Sequence, residues 1–211
     1  MATGTSLWSF ALVVGLLTLT PGLDTALVLR TAALGRRARA WGVVLGIQSG
    51  ALAWGALTSL GVTALFTASH IAYEVLRWAG AAYLLWMAFR MVRDTFRDRA
   101  TAETPDELTT GADTLSAGWR QGALTNLLNP KMGAFYVAVL PQFVPAGADH
   151  FSAGLLLTGV HIALGVVWSA LLIAFATVLG TWLRKPRARA LLDRVTGAVI
   201  AGFAVRLALT D

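Results

Sequence analysis

LWSFALVVGLLTLTPGLDTALVL, residues 7–29, is the stretch whose reading decides the fold. A hydrocarbon core about 30 Å thick needs roughly 20 apolar residues in helical form, and this run is long enough to cross it. No Lys or Arg precedes Leu7, and the run outlasts the apolar region of a secretory signal. It reads as a retained first membrane helix. Its one interruption is Thr20-Pro21-Gly22-Leu23-Asp24. Proline removes a backbone donor and clashes with the preceding turn. Inside lipid, the freed carbonyls need protein or a water-filled cavity as a partner.

Outward from that run, the pattern repeats. Hydropathy places further spans at about 41–66, 71–92, 118–144, 152–183 and 195–209, with the last the shortest. The fifth is longer than a bilayer requires, so its ends are expected to tilt or leave the membrane. The chain is 56% hydrophobic and 13% charged, about half the charge of a soluble domain. The fold class expected is therefore all-α and integral to the membrane, with about six transmembrane helices.

Basic residues set the orientation. Arg30, Arg36, Arg37 and Arg39 follow the first span; Arg93, Arg97 and Arg99 the third; Arg184, Lys185, Arg187, Arg189 and Arg194 the fifth. The connectors at 67–70 and 145–151 contain neither Lys nor Arg. This alternation puts both termini outside the cytoplasm. It also explains a sequence pI near 10.7 without nucleic acid, because the basic residues fall between spans and form no polar face. The absence of cysteine removes disulfides, thiolate metal sites and thiol nucleophiles.

Residues 1–93 are expected to form a first three-helix half, 94–117 a polar cytoplasmic linker and 118–211 a second half. Within the linker, Thr104-Pro105-Asp106-Glu107 reads as a helix start. Three spans per half make the second half enter the membrane from the opposite side. That is the arrangement of an inverted repeat, whose sites form at broken helices where the halves meet. Each half supplies a breaker: Pro21-Gly22 in the first span and Asn129-Pro130 in the fourth.

Beside each breaker lies a charge inside an apolar run, Asp24 and Lys131. Such a group costs several kcal/mol unless paired or hydrated. A straight helix puts Asp24 about 9 Å inward from Arg30 and Lys131 about 20 Å from the start of its span, so the two are not level. Three roles stay open: a structural ion pair, a site holding both charges of a zwitterion, or a proton-coupling carboxyl at Asp24. His161 in the fifth span is either a relay or hydrogen-bonded to a neighbouring helix. Gln48 and Ser49 in the second span line a cavity or bridge helices. Gly42, Gly46 and Gly50 form a smooth face for helix packing, which also offers a homodimer contact. Glu74 and Arg77 read as an interfacial pair, and Trp8, Trp41, Trp119 and Trp182 as interface anchors.

Several of these motifs together resemble the LysE/RhtB superfamily of amino-acid exporters, across essentially the whole chain. The residues concerned are Thr20-Pro21-Gly22-Leu23-Asp24, the glycine-spaced second span, the run from Tyr73 to Leu84, and Asn126-Leu127-Leu128-Asn129-Pro130-Lys131 followed by Pro141-Gln142-Phe143. The resemblance implies export of amino acids or close derivatives, driven by protons without ATP, from the bacterial inner membrane. Asp24, Asn129, Pro130 and Lys131 are the motif positions it carries over. Leu23 stands where the family often has proline. A dibasic substrate would favour extra carboxylates in the pathway, and Asp24 is the only one clearly inside a span, which leans toward neutral substrates such as threonine, homoserine or leucine. Two rivals are an exporter of another small cation or metal ion and an integral membrane enzyme. Neither finds a ligand or catalytic cluster in the sequence, since His70, His150 and His161 show no ligand spacing. No cofactor is expected.

Overall fold

A computed structural model describes residues 2–68, 113–145 and 147–183 continuously, and individual positions between 71 and 93 and between 185 and 205. The chain is an all-α membrane protein. Helix α1 (Ala2–Leu19) is followed by α2 (Leu23–Ala33), α3 (Arg37–Ala68), α4 (Leu115–Leu127) and α5 (Pro130–Ala138). A 3-10 turn at Leu140–Phe143 leads to α6 (His150–Ala174) and α7 (Ala176–Leu183). Among the described residues, α3 and α6 are each long and apolar enough to cross a membrane, and α1 with α2, bent by 53° at their break, passes the same test when the pair is taken together. The expected third and sixth spans fall mostly on positions outside the description, as do Glu74, Arg77 and the helix start at Thr104.

Both expected breaks are present. The first span stops at Leu19 and restarts at Leu23, with Gly22 as the N-cap of α2. The fourth stops at Leu127 and restarts at Pro130, with Asn129 as the N-cap of α5. Alone, α4 and α5 are about 20 and 14 Å long, so each crosses only part of the bilayer. The fifth span, expected at 152–183, is divided at Phe175 into α6 and α7. Helix α6 is already about 37 Å long, and nothing in the local sequence marks the break.

Glycine sets how the helices meet. A Cβ on Gly42, Gly46 or Gly50 would run into Leu115, Trp119 or Asn126 of α4, and one on Gly118 or Gly122 into Arg39 or Val43 of α3. In lipid, where apolar burial gives no drive between helices, such close approach supplies the association through van der Waals packing. The face that the sequence offered to a dimer is thus covered within the chain by α4. Residue numbers rise together along the contact, so α3 and α4 are parallel. Helix α6 runs the other way, with Gly154 on Ser59, Thr158 on Gly55 and Gly165 on Gln48.

Local chemistry starts and stops these helices. Gly35, at φ 77°, takes the left-handed turn that ends α2. Asp113 accepts from the Arg39 backbone N–H at 2.9 Å. Arg39, expected in an exposed connector, is instead buried in the first turns of α3 and donates from Nη2 to Gln121 at 2.9 Å. Asp149 accepts from Ser152 N–H at 2.8 Å to cap α6. Hydrogen bonds from Ser152 hold its carboxyl below the usual carboxylate range. Trp8, Trp41 and Trp119 are exposed, as interface anchors should be.

Two apolar clusters form the core. One joins Phe10, Val14 and Leu17 of α1 to Phe135 and Tyr136 of α5, Phe143 and Leu157. The other joins Leu27 and Val28 of α2 to Val43, Val44 and Ile47 of α3 and Leu172 of α6. The helix breaks lie between them.

Candidate functional site

At the first break, α1 ends in a C-terminal turn of carbonyls and α2 begins with Asp24 in its opening turn, the end of a helix where a negative charge is favoured. No side chain caps α2. At the second break, the Asn129 side chain accepts from Lys131 N–H at 3.0 Å, and Pro130 occupies the first helical position, where its missing donor costs nothing.

The two breaks meet. Asn126 donates from Nδ2 to Asp24 Oδ2 at 2.8 Å, and Asn129 from Nδ2 to Asp24 Oδ1 at 3.4 Å. Lys131 reaches back the other way and donates from Nζ to the Leu17 carbonyl at 3.3 Å, at the end of α1 where a cation is favoured. Its ammonium also acts electrostatically on Asp24. Straight-helix arithmetic left the two charges at different depths. The 53° bend and the interrupted fourth span remove that offset.

Together they line a cavity of about 60 Å³, room for a few water molecules. Asp24, Asn129, Lys131, Gly22, Gln48 and His161 all contribute to its wall. Of the residues singled out in the sequence, Pro21 lies at the first break and is not among the residues lining the cavity, and Pro130 opens α5 at the second. Gln48 lies against Gly165 and faces the cavity, whereas Ser49 accepts from Trp119 Nε1 at 3.1 Å and bridges α3 to α4. His161 pairs through Nδ1 with Tyr136 Oη at 2.9 Å and stacks on its ring at 5.6 Å.

Sequence reading did not single out Asn126, Thr25, Trp168 or Ser169, which also line the cavity. Asn126 carried a signal of its own, a polar side chain in an apolar helix four positions beyond Gly122 on the glycine face. Ser169 follows His161 and Gly165 at four-residue steps, on the same face of α6.

A family model described as LysE type translocator matches residues 2–211. The chain belongs to this family. Membership marks it as a translocator. Among similar proteins, a membrane protein of Vibrio cholerae is 31% identical over 79% of this chain and 78% of its own. The homoserine/homoserine lactone efflux protein of Salmonella typhi is 29% identical, covering 91% of each chain. The leucine efflux protein of Enterobacter sp. (strain 638) is 25% identical over 95% of this chain and 94% of its own. No solved structure matches the chain at a significant level.

Proposed function

We propose that this LysE-family translocator exports neutral amino acids or close derivatives, of the homoserine, threonine or leucine kind, by proton antiport across a bacterial inner membrane. The observation that carries the reading is the convergence of Asp24 from one broken helix and Lys131 from the other on a single cavity. A zwitterionic substrate presents one ammonium and one carboxylate, and each finds its counter-charge there. Homoserine and leucine, named for two relatives, share that backbone and differ in side chain, which leaves the charged pair as the common element.

In this reading, the ammonium binds Asp24, held by the Asn126 and Asn129 amides. The carboxylate binds Lys131 with the uncapped N–H groups that open α2. Asp24 and His161 are the titratable groups placed to exchange the coupling proton. The two breaks belong to two inverted halves, residues 1–93 and 118–211, joined by a cytoplasmic linker. The apolar clusters on either side of the cavity serve as the inner and outer closures, opened in turn as the halves rock about the site.

The test is efflux from proteoliposomes loaded with a panel of labelled amino acids, with and without an imposed pH gradient. The expected result is gradient-stimulated efflux of at least one neutral amino acid. Movement of none under either condition, from vesicles in which the protein is folded, would replace the assignment.

A further inference from the structure

Asn126 is almost completely buried, at 1% exposure, and uses only half of its amide. Nδ2 donates to Asp24 at 2.8 Å, while Oδ1 finds no hydrogen-bonding partner among the described residues. A buried carbonyl oxygen left in that state is costly, so its placement needs a reason. Turning the amide over would aim the oxygen at the Asp24 carboxylate, which has only acceptors when ionised. The oxygen therefore faces α3. What it meets there is Gly50: a Cβ at that position would lie 2.6 Å from Oδ1, 3.0 Å from the Asn126 Cβ and 3.1 Å from Cγ.

Gly50 differs in this respect from the other glycines of the α3–α4 contact. At Gly42, Gly46, Gly118 and Gly122, the obstacle to a Cβ is helix backbone. At Gly50, it is the side chain that holds the site's carboxylate. We infer that Gly50 is a positioning residue for Asp24, acting through Asn126. The missing Cβ lets the amide sit deep against α3, and that depth fixes where the carboxylate stands in the cavity. The inference rests on the reading of Asp24 as the substrate's ammonium ligand.

A double-mutant cycle tests it. Efflux of labelled homoserine or leucine, whichever the wild type moves, is measured for Gly50→Ala, Asn126→Ala and the double variant, with Asp24→Asn alongside. Each single variant should raise KM about tenfold, the scale of one hydrogen bond to a charged group, with maximal rate per folded transporter little changed. The double variant should be no worse than either single one, because truncating Asn126 vacates the space that a Cβ at position 50 enters. Multiplied effects, or a loss confined to maximal rate, would overturn the inference. Should Gly50→Ala fail to fold, folding restored in the double variant supports the coupling, and failure of both overturns it. Full efflux by Asp24→Asn, or none by the wild type, removes the substrate reading and the inference with it. Multiplied effects beside an inactive Asp24→Asn remove Gly50 alone.

Discussion

The two helix breaks solve the same problem in opposite ways. At the second break, the interruption is self-contained: Asn129 caps the restarting helix from its own side chain, and Pro130 needs no donor. At the first break, α2 restarts on Gly22 with no side-chain cap, and Asp24 takes its amide partners from Asn126 and Asn129, more than a hundred residues away. The first break is thus finished by the second, while the second returns only a lysine to the Leu17 carbonyl. An interruption that satisfies itself is a local motif. One that depends on the other break is an interface, and an interface at a cavity is where a transported solute can act.

Four substitutions break or sharpen that contrast. Asp24→Asn keeps size and shape but removes the charge that Asn126 and Asn129 serve. Efflux should fall on the order of 100-fold, the scale of losing one partner of a desolvated charge pair, at unchanged amounts of folded protein in the membrane. Lys131→Met should cost somewhat less, about 30-fold on the same scale, read as a raised KM in a substrate titration. Asn129→Ala strips both the cap of α5 and the longer contact to Asp24. Thermal unfolding in detergent should show about 1 kcal/mol lost, with a severalfold drop in efflux. Tyr136→Phe frees His161 Nδ1 outside either break and should cost about 1 kcal/mol of stability, with efflux within threefold of the wild type. A loss as deep as that of Asp24→Asn would move the centre of the site from the breaks to the Tyr136–His161 pair.

The same contrast explains what was legible in the sequence. Asn129-Pro130-Lys131 announces a helix start by composition, because the cap and the proline act within three residues of each other. The membrane spans announce themselves by length and apolar content. The meeting of Asp24 with Lys131 is different. Counting 1.5 Å per residue assumes straight helices, and both helices concerned are broken. Asn126 stood in a quoted motif but received no role, because its partners, Asp24 and Gly50, lie on two other helices. Neither local propensity nor periodicity can see such a contact. Arg39 misled for a related reason: arginine density marks the cytoplasmic side, but an individual arginine there can still be buried against Gln121.

Because the chain has no cysteine, one measurement reaches the central claim directly. A single cysteine replacing Ser169, on the cavity wall, is labelled with a small maleimide in the presence and absence of a transported amino acid. If Asp24 and Lys131 hold one substrate between them, the amino acid slows labelling, and the protection disappears when either Asp24→Asn or Lys131→Met is added. Protection that persists undiminished in both backgrounds would contradict the account.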